Sequence, residues 1–220
     1  AGHEVILVSS GAIGMGVGKL GLHSRPSDMP TKQAAAAVGQ CELMYVYDKL
    51  FSEYNHNVAQ LLLTAEDIHH PGHSSHVKDC LERLLEWNAL PIINENDTVS
   101  TVELGIGDND TLAAIVAQSV RADKLVLLSD IDGLYTADPH RDPDAKRLTH
   151  VPALTDEIYA LAGVSASSQG TGGMVTKLQA AKICLDSGCA MVIANGSKPE
   201  NLYDILDGKP VGTLFGEVTL

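Results

Sequence analysis

Between positions 94 and 110 the chain concentrates side chains that could bind a small polar ligand. Asn94, Glu95, Asn96 and Asp97 come first, then Glu103, then Asp108, Asn109 and Asp110. The run Leu90-Pro91-Ile92-Ile93 before them reads as a buried strand. The run Leu112-Ala113-Ala114-Ile115-Val116-Ala117 after them reads as an apolar helix. Carboxyl and carboxamide groups between the C-terminal end of a strand and the start of a helix stand where open α/β sheets bind ligands. A solvated loop with an Asx helix cap is the plainer reading, and it alone would explain Asn109 or Asp110.

A second cluster suits phosphate. Gly170-Thr171-Gly172-Gly173 leads into a helix that begins Met174-Val175-Thr176-Lys177. Successive backbone N–H groups of such a loop form an anion nest, the helix dipole adds positive potential, and Lys177 supplies a full charge. A flexible glycine loop with a surface lysine is the alternative. Val8-Ser9-Ser10-Gly11 sets small residues directly after a strand, which lets ligand oxygens reach the N–H groups of the next helix start. Ser129-Asp130 ends another strand, beside a turn over Asp132-Gly133-Leu134-Tyr135-Thr136 that serves either a base and ribose or the fold alone. Gly16-Val17-Gly18-Lys19-Leu20-Gly21 matches the dinucleotide pattern only formally, because it sits well past Val8 and no strand with an acidic residue follows. A P-loop fails too. His69, His70, His73 and His76 lack thiol or carboxylate partners at ligand spacing, so no metal site is expected.

Strands and helices must alternate to place these groups. Strands are expected at Val5–Val8, Val58–Leu63, Leu90–Ile93, Lys124–Leu128, Ala190–Ala194 and Gly212–Phe215. Helices are expected from Thr31 to Tyr54 (apolar face Ala34–Val38, Leu43, Val46, Leu50), His76 to Trp87, Thr111 to Ser119, a short one from Thr155, Met174 to Asp186 and Pro199 to Leu206, with Thr64 capping a short turn. That pattern predicts an α/β fold, an open and mostly parallel sheet with helices on both faces, as one domain over 1–220. The chain starts at once on a strand, so a preceding strand and helix are expected to be missing.

Composition narrows the function. The 220 residues are 45% hydrophobic and 4% aromatic, so small aliphatic side chains fill the core. A net charge of −13 argues against nucleic acid and anionic membrane surfaces as partners, because phosphate arrays need clustered Lys and Arg. No apolar run reaches the roughly 18 residues of a membrane span. Cys41, Cys80, Cys184 and Cys189 are expected as buried reduced thiols in a cytoplasmic protein.

Taken together, Ser9-Ser10-Gly11-Ala12, Ile93-Asn94-Glu95-Asn96-Asp97, Gly107-Asp108-Asn109-Asp110, Asp132-Gly133-Leu134-Tyr135-Thr136 and Gly170-Thr171-Gly172-Gly173-Met174 with Lys177 resemble, in this order, the amino-acid kinase family and its glutamate-phosphorylating branch. The resemblance runs from about Gly2 to Phe215. It implies a three-layer sandwich and ATP-dependent phosphorylation of the side-chain carboxylate of L-glutamate to L-glutamyl 5-phosphate, the first step of proline synthesis. It implies that Ser10, Gly11, Asp97 and Asn109 bind substrate. ATP would lie along Ser129, Asp130 and Thr171, Gly172, Gly173, Met174, Val175, Thr176 and Lys177. Lys177 would be catalytic and Asp110 would orient catalytic lysines, with Mg2+ as cofactor. Feedback inhibition by proline and a homo-oligomer, dimer or tetramer, are implied as well.

The chemistry of the residues agrees. A glutamate side chain is ionised at neutral pH, with an ordinary pKa of about 4.3, so no general base is required. The barrier is electrostatic, an anion meeting a polyanion, and falls to positioning and charge neutralisation. Asp97 suits the substrate's ammonium and Asn109 its carboxylate, while Glu95 and Glu103 suit loop structure or inhibitor response. Two departures stand out: a Lys-x-Gly-Ser/Thr strand and an RNA-modification-type C-terminal domain do not occur in the sequence. Sibling kinases of aspartate, carbamate or acetylglutamate, a non-catalytic glutamate or proline sensor, and an NAD-dependent oxidoreductase are the competing expectations.

Overall fold

Aliphatic runs bounded by turn residues become strands, and each is followed by a helix that covers it. The computed structural model describes residues 2–100, 108–139, 141–164 and 173–217. The chain divides into two compact units, Ala1–Leu112 and Ala113–Leu220. Strand pairing forms a three-stranded and a four-stranded sheet, mostly parallel and accompanied by helices, in keeping with the α/β fold expected.

The first unit contains β1 (Leu7–Val8), α1 (Ala12–Lys19), α2 (Met29–Ser52), β2 (Val58–Leu63), α3 (Ala65–His69), α4 (Pro71–Glu86) and β3 (Leu90–Glu95). The sheet order is β1-β3-β2 and both pairings are parallel. Central β3 is almost wholly buried, with Ile92 and Ile93 at 1% and 0% exposure. It runs two residues further than Ile93, so the polar stretch begins inside the ladder, with Leu62 opposite Asn94 and Leu63 opposite Glu95. β1 is shorter than expected, and Val5 is exposed.

Helix caps explain where the helices begin. Asp28 caps α2, accepting from the Thr31 N–H at 3.0 Å, and Pro30 fits in the first turn where its missing N–H costs nothing. Thr64 and Asp67 form a capping box on α3. His70 caps α4, its Nδ1 accepting from the Gly72 N–H at 3.2 Å, five residues before the helix expected from His76. Val46 and Leu50 prove exposed, and the buried face of α2 is Ala35, Ala36, Gly39 and Gln40.

The segment from Ala12 to Lys19, with three glycines in eight residues, is helical, which sequence periodicity did not show. Glycine disfavours a helix by nearly 1 kcal/mol per residue, but here it permits contact. A Cβ built on Gly16 would land on the Ala35 carbonyl, and one on Gly39 would land on the Ala12 carbonyl. α1 and α2 therefore pack backbone to backbone. Gly16→Ala and Gly39→Ala are each expected to cost about 2–3 kcal/mol of unfolding free energy by overpacking. Gly18→Ala, where a Cβ meets nothing within 4 Å, is expected to gain about 0.5–1 kcal/mol. Urea denaturation midpoints compare the three.

The boundary between the units falls inside α5 (Asn109–Val120). The second unit continues with β4 (Lys124–Ser129), β5 (His150–Val151), α6 (Asp156–Val164), α7 (Met174–Asp186), β6 (Ala190–Asn195), α8 (Asn201–Leu206) and β7 (Thr213–Phe215). The sheet order is β4-β6-β7-β5; β4–β6 and β5–β7 are parallel and β6–β7 is antiparallel. Two-residue β5 is too short to leave a sequence pattern. Met191, Ile193, Leu178 and Phe215 are fully buried. Cys184 and Cys189 are buried as expected, whereas Cys41 and Cys80 are exposed. None of the described helices is long and apolar enough to cross a membrane.

Candidate active site

In the first unit the C-terminal ends of β1 and β3 lie side by side, joined by Ser9 N–H donating to the Ile93 carbonyl at 2.8 Å. The chain leaves β1 through Ser9, Ser10 and Gly11. Gly11 takes φ 108°, the left-handed region that favours glycine, and starts α1 with no side-chain cap. The first N–H groups of α1 therefore lack a side-chain acceptor, an arrangement that suits a carboxylate.

Among the described residues, the polar stretch after Ile93 separates into residues with internal hydrogen-bond partners and one without. Asn94, 3% exposed, donates to Gln40 Oε1 at 3.1 Å and accepts from the Glu95 N–H at 2.9 Å. Glu95 accepts from the Ser100 hydroxyl at 2.6 Å. Asn96 accepts from the Thr98 hydroxyl and donates its own N–H to the Leu63 carbonyl. Among the described residues no group hydrogen-bonds the Asp97 carboxylate. Burial pushes its pKa above the ordinary 3.8; Glu95 adds repulsion, and Arg25 partly offsets both. Asp97 lines a shallow, open cleft with Ala12, Gln40, Leu62, Glu95, Asn96 and Thr98 among its neighbours. A half-buried carboxylate short of donors is matched by a ligand that brings a cation.

Asp108, not Asn109 or Asp110, caps α5: its carboxylate accepts from both the N–H and the hydroxyl of Thr111, at 2.8 and 3.0 Å. The capping role expected for Asn109 or Asp110 is thus filled by their neighbour. Asn109 turns instead to the Ser9 carbonyl at 3.4 Å, beside Ser10 and Gly11. Asp110 lies in the first turn of α5. Ser10, Gly11 and Asn109 therefore gather at the end of β1, one residue from Ala12 of the cleft. Glu103 and Gly107 lie outside the described residues.

In the second unit β4 and β6 end together, with Ser129 opposite Asn195. Gly196 N–H donates to the Ser129 carbonyl at 2.7 Å, and Ser129 donates to the Asp130 carboxylate at 3.0 Å. Asn195 reaches the Asp130 carbonyl at 3.5 Å; it was not singled out from sequence, where it reads as a strand end. α7 begins at Gly173 with no side-chain cap and no acidic residue in its first turn. Met174 and Lys177 are buried, Val175 is exposed, and the Thr176 hydroxyl bonds back to the Gly173 carbonyl at 2.8 Å. Uncapped N–H groups, absent acidic side chains and a buried lysine fit the phosphate chain of a nucleotide. Thr171 and Gly172 lie outside the described residues.

The Asp132–Thr136 turn is held by its own contacts. Asp132 accepts from Tyr135 Oη at 2.7 Å and pairs with Arg147 at 3.0 Å, while the buried Leu134 N–H donates to Thr213 Oγ1 at 2.8 Å. The histidines serve helix starts: His73 sits 3.6 Å from Asp67, and its ring lies 4.7 Å from that of His70. Among the described residues no three His, Cys, Asp or Glu side chains are grouped to hold a metal ion.

Residues 1–195 match the family model described as the amino acid kinase family. Glutamate 5-kinase of Clostridium perfringens is 51% identical over 97% of this chain and 81% of its own length. Glutamate 5-kinase of Symbiobacterium thermophilum is 52% identical, with the same two coverages. Among solved structures, carbamate kinase from Giardia lamblia bound to AMP-PNP superposes with a TM-score of 0.66 at 21% identity, over 98% of this chain and 84% of the other. An isopentenyl phosphate kinase substrate complex gives 0.62 at 19% identity, over 96% and 82%; these two share the fold. The chain belongs to the amino acid kinase family, in its glutamate 5-kinase branch.

Proposed function

We infer that the chain transfers the γ-phosphoryl group of ATP to the side-chain carboxylate of L-glutamate, forming L-glutamyl 5-phosphate and ADP, the entry to proline synthesis. Identity of about half over nearly the whole chain to two glutamate 5-kinases supports the reaction class. The observation that carries the substrate is Asp97, a half-buried carboxylate without hydrogen-bond donors among the described residues, between neighbours that satisfy one another.

In this reading the α-ammonium of glutamate pairs with Asp97. The α1 N-terminus at Ser10 and Gly11, with the Asn109 carboxamide, takes the substrate's carboxylate. The glutamate side chain is already an anion, so it attacks phosphorus without a base, and the oxygen bridging to ADP leaves with the electron pair. Lys177 and the N–H groups at the start of α7, at Gly173, Met174 and Val175, hold phosphate oxygens, with Thr176 beside them. Ser129 and Asp130 hold the nucleoside end, while Asp110 stays in the first turn of α5 beside Asn109. Mg2+, entering with ATP, lowers the charge on the phosphates. In this reading the protein works in the cytoplasm, where ATP and glutamate are at hand. Proline, an amino acid with the same ammonium and carboxylate, competes for the Asp97 site, and the enzyme works as a homo-oligomer.

Coupled ADP-release assays with glutamate, aspartate, carbamate and N-acetylglutamate test the assignment. Release that depends on glutamate is expected, with aspartate at least about 100-fold poorer, since one methylene fewer withdraws the nucleophile from a phosphoryl group that must be aligned to within about an ångström. Equal or faster release with another acceptor would overturn it.

A further inference from the structure

One face of α2 reaches the ends of both β1 and β3 in the first unit. Gln40 and Tyr47 stand seven residues apart, two helical turns, and so share a face. Gln40, 8% exposed, accepts from Asn94 Nδ2 at 3.1 Å. The amide orientation follows from the network: Asn94 Oδ1 takes the Glu95 N–H, which leaves Nδ2 for Gln40. This pair fixes the end of β3 three residues before Asp97. Tyr47 Oη lies 2.9 Å from Ser9 Oγ. The single proton of the Ser9 hydroxyl goes to the Ser10 carbonyl at 3.2 Å, so the tyrosine donates. Ser9, 7% exposed, also accepts from Asn109 through its carbonyl, so Tyr47 fixes the end of β1 where Ser10, Gly11 and Asn109 meet. Gly39, next to Gln40, presses on Ala12 at the start of α1.

We propose that Gln40 and Tyr47 are positioning residues for glutamate, with α2 acting as a clamp that sets the spacing between the ammonium arm at Asp97 and the carboxylate arm at Ser10 and Asn109. Neither needs to touch substrate. The proposal rests on the glutamate kinase reading and adds two residues that carry no charge and lie 54 and 38 positions from those they hold. Both hydrogen bonds join buried or half-buried groups, so their loss shifts the arms rather than admitting water freely.

Tyr47→Phe, Gln40→Met and the double variant test it, with kcat, KM for glutamate, KM for ATP and Tm measured for each. Each single change is expected to raise KM for glutamate about 3- to 10-fold, the scale of one hydrogen bond. The double change is expected to multiply the two effects, because the arms are separate. KM for ATP and kcat stay within about 2-fold if the effect is confined to glutamate binding. A fall in Tm with KM for glutamate unchanged in both singles would overturn the proposal, as would equal rises in both KM values. Wild-type protein that fails to couple ADP release to glutamate would overturn the underlying reading instead, and the proposal with it.

Discussion

Replacing Asp97 by Asn is expected to lower kcat/KM for glutamate by about 100-fold or more and, at neutral pH, to raise the melting temperature of the ligand-free protein. The first effect follows from taking away the anionic partner of a buried ammonium, which costs roughly 2–5 kcal/mol. The second follows from the sign of the Asp97 shift. Its carboxyl is pushed above 3.8 in the folded chain, first by burial and then by Glu95, with Arg25 opposing. The folded protein therefore holds that proton more tightly than the unfolded chain does. Below 3.8 both states are protonated and no penalty exists; as pH rises from 3.8 towards the folded value the unfolded chain loses its proton first, and the penalty is complete above the folded value. Asn carries no charge, so the Tm difference between variant and wild type should be small near pH 4 and grow towards pH 7. Other carboxylates move the opposite way: hydrogen bonds from Thr31 and Thr64 lower Asp28 and Asp67. The difference between the two proteins, not the absolute Tm, is therefore the quantity to follow. Saturating glutamate should close the gap by stabilising wild type alone.

Lys177→Met is expected to reduce kcat by about 100- to 1,000-fold, the usual loss when a preorganised charge is removed from a transition state. Binding of glutamate, measured by calorimetry, should stay within about 2-fold, since Lys177 is assigned to phosphate and makes no ground-state contact with the amino acid. Methionine matches the length of the buried stem, and Lys177 is only 8% exposed, so folding is expected to survive. Lys177→Arg should restore little activity, because a planar fork does not occupy the position of a compact ammonium. A loss confined to KM for glutamate would move Lys177 out of the phosphate site.

Much of the fold is written in local pattern. α7 and β2 appear within their expected bounds because each apolar stretch is closed by glycine or a cap, and tertiary contacts agree with the local signal. α1 was hidden by its own glycines, which weaken a helix locally, although Gly16 is required where the Ala35 carbonyl presses against it. α4 starts early because His70 replaces the usual small capping residue. Alternation of strands and helices specified the mostly parallel pairing but not the antiparallel step from β6 to β7.

The candidate site was legible as a region and not as roles. Asn94, Glu95, Asn96 and Asp97 are equivalent in sequence; only their partners separate three structural residues from one open carboxylate. The same holds at α5, where Asp108 takes the cap and frees Asn109. Gln40 and Tyr47 had no local signal at all, because a glutamine and a tyrosine on a long helix look like surface and core filler until the strand ends they hold are known.

The most direct test of the account compares two acceptors that differ in the charge of one nitrogen. Glutamate and N-acetylglutamate share the same chain length and the same nucleophilic carboxylate, and only glutamate carries an ammonium for Asp97. With ATP and Mg2+ present, acyl phosphate trapped by hydroxylamine should form from glutamate at least about 100-fold faster than from N-acetylglutamate, in line with the loss of a buried charge pair. Equal rates, or a preference for N-acetylglutamate, would contradict the role given to Asp97 and the substrate it defines.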